Sequence, residues 1–560
     1  MLETRSNLLV RNMAIYAALH SAAALAAPSA SATDIVGIAR TARPLYPNMV
    51  GYNSDYYYVS NPWSSEKRVQ AAAKARPGLL RYPGGTSANY WDVYHARLFH
   101  DVSAIDVADA DPAAWTQTRY TINWLHNAFF WSNVTPLPDF KQLYRTLHHA
   151  DSGGAEVIFV ANMVTPGPDF YALKWSRAVD NNPGSSDWFA MLGSRYGALQ
   201  YMLSDGSKNG VPVKYVELGN EYYFGAGLTH KDKPADVEPY VAGSFDADNK
   251  YAPENVGTFP DKGDGGKPTL YLYSVVANDW ASKIKKAYPG TKVCAIGAFL
   301  DKEGYESRTA NWNREALSAL DPTKVDAVSL HLYGGPQVGS LTETEEKFGR
   351  ALKSWQEFWI AGRSRSHLPG KLDFWITEFN IHDEFGKGDK LPENRGTWGN
   401  GMGNLYCLHY WLANEPRVKV TLLHELARVI DGDGPNIHAQ GRAYGLFAKA
   451  VTGKTRARAI EFDSVPNLQG SAGTIRGVAG WTFDTPDHGK PTVYTLVNFT
   501  GSPQAVKGVN HLPGAANAHY TQAFAPLNSA IDPGEKTGSL HANVLTLPAY
   551  SVTVIGSVIK

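Results

Sequence analysis

Two glutamates stand out because each closes an apolar run. Glu221 lies in "KYVELGNEYYFG" (214–225) and Glu378 lies in "DFWITEFN" (373–380). A buried carboxylate without a partner is costly, so each is a solvated turn residue, half of a salt bridge or a catalytic group. If both run ends open into one cleft, the two carboxylates form the pair that cleaves a glycosidic bond. One protonates the leaving oxygen, and the other attacks the anomeric carbon or activates water.

The elements that would bring the two glutamates together are eight short apolar runs that alternate with helical patterns. The runs are nearly continuous in Val, Ile, Leu and Phe, as is typical of strands covered on both faces. They cover residues 48–53, 78–85, 156–163, 214–221, 292–298, 326–335, 373–380 and 418–425. This alternation predicts a (β/α)8 TIM barrel over residues 48–451. Glu221 then ends the fourth strand and Glu378 the seventh, at the same mouth.

Two connections of this barrel are unusually long. They follow the second and fourth runs, at about residues 86–135 and 222–268. Loops of this length in a compact domain are usually functional. Because they follow strand ends, we expect both to wall a cleft at the C-terminal face of the barrel.

The rest of the chain divides into three further segments. Residues 452–560 contain short strand-like runs separated by Gly, Pro and Asp turns, which predict an all-β sandwich. Residues 33–47 are expected to add a strand to that sandwich. Residues 1–32 combine Arg5 and Arg11, an apolar stretch and the small residues "ASA" at 30–32. They indicate a signal peptide and a secreted or periplasmic protein; the alternative is a frayed N-terminal helix.

Composition and motif spacing give no sign of several kinds of partner or cofactor. Lys and Arg balance Asp and Glu at 53 each, which does not favour nucleic acid or an anionic membrane. No segment is long and apolar enough for a membrane span. Cys294 and Cys407 lie in no metal-ligand or CxxC pattern, and whether they pair stays open. We expect no cofactor and no required metal, and the sequence leaves the oligomeric state open.

Three motifs together resemble clan A of the retaining glycoside hydrolases: "LRYPGG" (80–85), "ELGNE" (217–221) and "ITEFN" (376–380). In that clan an Asn-Glu pair ends the fourth strand and a Glu ends the seventh. The resemblance is to family 51, the α-L-arabinofuranosidases, and family 79, heparanase and the β-glucuronidases. Both families pair the barrel with a C-terminal β-sandwich. "TEFNIHDE" (377–384) is not the usual form of either family, which leaves the substrate open.

The resemblance implies a role for each of the glutamates and for two neighbours. Glu221 would be the general acid/base, and its aromatic surroundings would raise its pKa so that it stays protonated. Glu378 would be the nucleophile, kept ionised by Arg81; the alternative for Arg81 is a structural ion pair. Asn220 would hydrogen-bond the sugar 2-hydroxyl, or else act as a backbone cap.

Four further residues belong to the predicted site or its support. His331 and Tyr333 end the sixth strand, where the clan often orients the nucleophile or the sugar; the alternative for His331 is a buried structural imidazole. Asn162 ends the third strand and is a candidate subsite contact. Glu217 shares strand parity with Glu221 and is expected to be a buried structural partner.

These features predict a retaining glycoside hydrolase that acts on a poly- or oligosaccharide through a glycosyl-enzyme. Within the class, α-L-arabinofuranosidase is the first interpretation, and β-glucuronidase/heparanase-like or β-xylosidase-like activities are alternatives. The alternative from another class is a non-catalytic carbohydrate-binding protein on a hydrolase fold. Such a protein would usually lack one of the two carboxylates, and this sequence has both. Linkage and exo or endo action stay open.

Overall fold

The fold is taken from a computed structural model that describes thirteen stretches of the chain. They are residues 32–53, 66–85, 88, 91–93, 97–98, 155–163, 186–224, 271–300, 312–334, 341–381, 396–430, 435–485 and 490–556. The predicted signal peptide, apart from Ala32, lies outside them. So does most of the two long connections, 86–135 and 222–268.

Eight parallel strands close into a barrel in which neighbours follow chain order. Their bounds are Val50–Asn53, Leu79–Tyr82, Glu156–Val160, Tyr215–Glu217, Lys292–Ile296, Ala327–Tyr333, Asp373–Asn380 and Val418–Leu423. Nearly all of their residues are buried, as strands must be when helices cover one face and the barrel interior the other. The predicted TIM barrel is confirmed.

Helices cover the outside of the barrel between these strands. In chain order they are α1 (Glu66–Ala75), α2 (Ser186–Lys208), α3 (Tyr271–Ala287), α4 (Glu345–Arg365), α5 (Trp398–Asn414), α6 (Leu426–Val429) and α7 (Ala439–Val451). Single turns at Tyr222–Phe224, Trp312–Ala316 and Val509–His511 add to them, and Trp91–Asp92 pairs with Arg97–Leu98 in a short ribbon. Within the described residues, no helix is apolar over a length that could cross a membrane. Cys294 and Cys407 are buried free thiols.

The C-terminal domain is one curled sheet whose end strand Val544–Leu547 packs against the strands Lys490–Asn498 and Ser551–Ile555. Its strands are Ala32–Ile38, Arg43–Pro44, Arg456–Phe462, Val478–Thr485, Lys490–Asn498, Gln504–Lys507, His519–Phe524, Lys536–Ser539, Val544–Leu547 and Ser551–Ile555. The N-terminal strand joins the two layers, because it pairs with Gln504–Lys507 before a bulge and with Arg456–Phe462 after it. Side chains of both layers fill one apolar core. The predicted C-terminal β-domain is confirmed.

The barrel and the sheet domain share an extended junction at helices α5 and α7. Backbone N–H groups of Trp398 and Gly399 donate to the carbonyls of Ser529 and Leu527, at 2.7 and 2.8 Å. Ala439 donates likewise to Ala530 at 3.1 Å. The first N–H groups of a helix have no partner inside the helix, so carbonyls of the sheet domain complete both helix starts.

One histidine is buried in this junction in its neutral form. The Trp481 indole donates to His409 Nδ1 at 2.9 Å, and the rings of Phe447 and Phe499 pack around it. Burial lowers the pKa of His409 to about 3. The unfolded chain binds a proton there near pH 6.5, so between these two values the unfolded state holds more protons and stability falls as the pH falls.

This linkage gives a testable pH dependence. Lowering the pH from 7 to 5 should cost the wild-type protein about 2 kcal/mol of unfolding free energy through His409 alone. His409→Gln keeps an acceptor for Trp481 without a titrating ring, so its unfolding free energy should fall less over the same interval. Denaturant titrations at both pH values measure the difference. His541→Gln, at an exposed histidine, is the control; equal pH slopes in His409→Gln and wild type would contradict the assignment.

Candidate active site

After the fourth strand the backbone changes direction sharply, so Glu221 no longer continues the line of the strand. Gly219 has φ +105°, and a Cβ there would lie 2.2 Å from the Tyr222 ring, so only glycine fits. Glu221 itself has φ +51°, a left-handed conformation that costs a non-glycine residue about 1 to 2 kcal/mol. Such strain persists where the surroundings hold it, which is common at functional sites. Asn220 is buried, while the Glu221 side chain is 20 % exposed.

Arg81, at the end of the second strand, joins the fourth strand to the seventh. Its Nε donates to Glu217 Oε2 at 2.5 Å and its Nη1 to Glu378 Oε1 at 2.5 Å. Its Nη2 donates to Asn220 Oδ1 at 2.8 Å. All four side chains are buried, so one guanidinium compensates two carboxylates that lie away from water. The predicted contact between Arg81 and Glu378 is present, and Glu217 is a buried partner of the same arginine.

Glu378 accepts hydrogen bonds on both carboxylate oxygens. Arg81 donates to Oε1, and the Tyr333 hydroxyl donates to Oε2. His424 Nε2 lies 3.9 Å from Oε2, and the His424 ring packs edge-on against Tyr333. A carboxylate held from both sides in this way has a fixed orientation toward the barrel mouth.

His331 stands between the two candidate catalytic carboxylates. Its Nδ1 lies 2.8 Å from Glu221 Oε1 and 3.4 Å from Glu378 Oε2. Oxygens of the two carboxylates and a ring nitrogen all lie within 4.8 Å of one another. Retaining glycosidases hold their two carboxyl groups about 5 to 5.5 Å apart, and inverting enzymes about 6.5 to 9.5 Å. The nearest oxygens of Glu221 and Glu378 are thus closer together than the carboxyl groups of an inverting enzyme.

The pKa of Glu221 is lowered, against the expectation from its aromatic neighbours. Burial raises it, but the charge and hydrogen bond of His331 outweigh burial, with help from the Tyr223 hydroxyl and the charge of Arg81. The aromatic residues after Glu221 are apparent in the sequence. The approach of His331 from the sixth strand is not, because it depends on barrel closure.

The structure brings most of the predicted site residues together. Arg81, Asn220, Glu221, His331, Tyr333 and Glu378 form one hydrogen-bonded group at the strand C-termini. Asn162 is buried directly after the third strand, at the same end of the barrel. Its predicted role as a subsite contact stays a prediction.

Two residues that contact this group, His424 and Thr377, were not predicted from the sequence. His424 directly follows the eighth strand, so the strand-end rule that selected the others would have found it. Thr377 precedes Glu378, and strict alternation would point it the other way. A register shift opposite Leu330 and His331 marks a bulge at Thr377, and its hydroxyl contacts both Glu217 and His331. No pattern in the sequence marks that bulge.

The three groups around His331 Nδ1 also have the donor types of a metal site. Within the described residues, Glu221, His331 and Glu378 are the one such cluster. A metal ion would need His331 Nδ1 as an unprotonated ligand. It would also compete with the Arg81 and Tyr333 donors that already occupy Glu378. The hydrogen bonds present therefore suit a carboxylate pair better than a cation.

Comparison with known proteins identifies the fold. No protein-family model matches the sequence, and no curated protein matches it. The structure is similar to an α-L-arabinofuranosidase from Thermotoga maritima solved as an arabinose complex, with a TM-score of 0.53, 15 % identity, and coverage of 94 % of this chain and 98 % of that one. A family 51 α-L-arabinofuranosidase from Bifidobacterium longum has a TM-score of 0.53 and 14 % identity, with coverage of 95 % of this chain and 99 % of that one. An exported protein from Bacteroides fragilis has a TM-score of 0.50 and 13 % identity, with coverage of 94 % of this chain and 100 % of that one. The chain has the two-domain fold of these structures over nearly its whole length.

The Arg81 cluster makes a prediction about stability. Arg81→Met leaves Glu217 and Glu378 buried without their cation and should lower the unfolding free energy by about 3 to 5 kcal/mol. Adding Glu217→Gln removes one of the two buried negative charges and should recover part of that loss. Denaturant unfolding of both variants measures the effect.

The matched control is Arg350→Met. Arg350 pairs with Glu346 on the exposed face of α4, and its loss should leave the unfolding free energy nearly unchanged. If Arg81→Met is no more destabilising than Arg350→Met, Arg81 does not have the role assigned to it.

Proposed function

We propose that the protein is a retaining glycoside hydrolase that works by double displacement, with Glu378 as nucleophile and Glu221 as general acid/base. The observation that carries the proposal is that one oxygen of Glu221 and one of Glu378 lie within 4.8 Å of each other at the strand C-termini of a TIM barrel. This spacing is shorter than the 6.5 to 9.5 Å or so at which an inverting enzyme holds its carboxyl groups around a water. Catalytic residues of TIM barrels lie at the same strand ends.

The surroundings of Glu378 suit a nucleophile. Arg81 and Tyr333 hold one oxygen each, so the carboxylate needs little reorganisation before it attacks the anomeric carbon. The bond to the sugar forms at one carboxylate oxygen while the bond to the leaving oxygen breaks. The negative charge of Glu378 is then neutralised in the glycosyl-enzyme, and the Arg81 guanidinium remains paired with Glu217.

The surroundings of Glu221 suit proton transfer. Both of its hydrogen bonds, from His331 and Tyr223, fall on Oε1. Within the described residues no hydrogen bond reaches Oε2, so Oε2 is the atom we assign to the glycosidic oxygen. Asn220 accepts from Arg81 through Oδ1, which fixes the amide so that its NH2 end would meet a sugar hydroxyl.

Within this class we propose an α-L-arabinofuranoside as the substrate. Two lines of support exist: the resemblance of "RYPGG" to family 51, and the similar fold of solved structures described as α-L-arabinofuranosidases. A panel of aryl glycosides tests the proposal directly. Cleavage of aryl α-L-arabinofuranosides supports it, whereas preference for a β-glucuronide or β-xyloside selects one of the alternatives. Binding without cleavage of any member would favour a carbohydrate-binding protein.

The roles of the two glutamates predict different chemical rescue. Glu378→Ala cannot form a glycosyl-enzyme, so turnover should fall by several orders of magnitude on every substrate. Glu221→Ala lacks only the proton donor, so it should still react with dinitrophenyl glycosides and accumulate the covalent intermediate. Azide should restore turnover of Glu221→Ala with retained configuration and that of Glu378→Ala with inverted configuration. Proton NMR of the products measures the stereochemistry.

Glu343→Ala, at an exposed glutamate of the chain, controls for the loss of a carboxylate as such. Swapped stereochemical outcomes would mean that the two roles are reversed. Hydrolysis at the wild-type rate by either active-site variant would remove that residue from the mechanism.

We also propose that the protein is exported and that its signal is removed after Ala32. The support is the charge and apolar pattern of residues 1–32. Removal there would leave Thr33 and Asp34, which pair with Val506 and Lys507, in the mature chain. Mass spectrometry of protein recovered from outside the cytoplasm should find Thr33 as the first residue. Recovery of the intact N-terminus would contradict the proposal.

A further inference from the structure

A ring of hydrogen bonds, closed by one ion-pair contact, connects the two candidate catalytic carboxylates through residues behind them. From Glu378 it runs to Arg81 and on to Glu217, at 2.5 Å each. The other Glu217 oxygen, Oε1, lies 3.0 Å from Thr377 Oγ1, and Thr377 Oγ1 lies 3.1 Å from His331 Nε2. His331 Nδ1 then closes the ring at Glu221 and Glu378. Glu217 and Thr377 are fully buried, so a lost hydrogen bond in this ring would not be replaced by bulk water.

Counting protons along this ring fixes the state of His331 Nε2. Arg81 donates to Glu217 as it does to an ionised carboxylate, which has no proton to give. The single hydroxyl proton of Thr377 therefore goes to Glu217 Oε1. Thr377 Oγ1 can then only accept from the histidine, so Nε2 must carry a proton.

With Nε2 protonated, the Nδ1 side has two allowed states. Either Nδ1 carries a proton and donates to an ionised Glu221, or Glu221 is protonated and donates to a bare Nδ1. The two states differ only in the position of one proton along a 2.8 Å contact. His331 and Glu221 thus share one proton.

We propose that Glu217 and Thr377 are positioning residues that hold His331 in its Nε2–H form, so that Nδ1 stores the proton that Glu221 delivers to the leaving group. This inference rests on the proposed function and deepens it by assigning a residue pair that touches neither substrate nor reacting atoms. The lowered pKa of Glu221 agrees with a proton that rests on His331 before substrate binds.

The charged and titratable groups around His331 come from five strand ends. Glu221 and Tyr223 follow the fourth strand, Glu378 belongs to the seventh and Tyr333 to the sixth. Arg81, on the second strand, lies behind Glu378, and His424, after the eighth, approaches the same Glu378 oxygen as His331 does. The nearest of these groups to Nδ1 are the two carboxylates, at 2.8 Å for Glu221 and 3.4 Å for Glu378.

The proton transfer balances over the two steps of the reaction. In the first, His331 Nδ1 gives its proton to Glu221, whose carboxyl group rotates so that the protonated oxygen takes the place of Oε2. The bond between the anomeric carbon and the leaving oxygen breaks while that oxygen takes this proton, which leaves Glu221 ionised and His331 neutral with Nε2–H on Thr377. In the second, water attacks the anomeric carbon, releases Glu378 and gives one proton to Glu221, which rotates back and returns that proton to Nδ1. No proton is gained or lost over the cycle.

The test compares Thr377→Val with Thr377→Ser. Valine has nearly the shape of threonine but no hydroxyl, so it frees His331 from the Nε2–H form, whereas serine keeps the hydroxyl. For substrates with poor leaving groups, kcat/KM of Thr377→Val should fall by about 10 to 100-fold, because general acid catalysis is worth about 10² to 10⁴. For dinitrophenyl glycosides, which need no acid, the loss should be at least tenfold smaller. Thr377→Ser should recover most of the loss.

This comparison separates proton delivery from mere support of the neighbouring Glu378. If Thr377 only positions the nucleophile, Thr377→Val loses the same factor on good and poor leaving groups, and the proposal is overturned. The acidic limb of the pH profile should also shift in Thr377→Val and return in Thr377→Ser. Melting temperatures of both variants verify that they are folded.

A second measurement does not depend on turnover. Nitrogen NMR of protein labelled with ¹⁵N-histidine, with His331 assigned by its loss in His331→Gln, reports which ring nitrogen carries a proton. In wild type, Nε2 should be protonated throughout the pH range of the folded state, and an unprotonated Nε2 would overturn the proposal. A third outcome separates the two proposals. If no glycoside is cleaved, but Nε2 is protonated in wild type and loses this fixed protonation in Thr377→Val, the proposed function fails while the positioning role stands.

Discussion

The barrel mouth depends on one buried guanidinium that pairs with two buried carboxylates. Glu217 and Glu378 come from the fourth and seventh strands, which are not neighbours in the barrel, and would repel each other there without a cation. Arg81 bonds both, and its third bond orients Asn220, the residue before Glu221. Arg81 therefore lies behind the two candidate catalytic carboxylates and ties together the two strand ends that carry them.

The architecture could be predicted from the sequence because the barrel repeats one unit, a buried strand followed by a helix. Continuous apolar runs in alternation with helices give strand order, and strand order gives the shared mouth. Chain order alone was thus enough to pair Glu221 with Glu378. The finer chemistry was less accessible. The bulge at Thr377 breaks the alternation on which side-chain direction is predicted, and the approach of His331 to Glu221 reverses the expected direction of its pKa shift. Both depend on register between strands that are distant in the sequence.

The C-terminal sheet domain forms hydrogen bonds with two helices of the barrel and so supports the barrel directly. Helices α5 and α7 follow the seventh and eighth strands, so their first turns lie at the mouth end of the barrel. Carbonyls of Leu527, Ser529 and Ala530 complete those first turns. The indole of Trp398 also donates to the carbonyl of Tyr550 at 2.6 Å. The strands that hold Glu378 and precede His424 are thus braced by the C-terminal domain.

The N-terminal strand has a consequence for how the chain is made. Ile38 pairs with Ile460, and Thr33 with Val506, so the first strand to be synthesised finds its partners only when the last domain has emerged. Until then its backbone edge is unsatisfied, and contacts of such high sequence separation form slowly. The barrel, whose strands pair with chain neighbours, can assemble earlier. Pairing of Ala32–Ile38 with Arg456–Phe462 and Gln504–Lys507 would then complete the sheet domain after the barrel strands have paired.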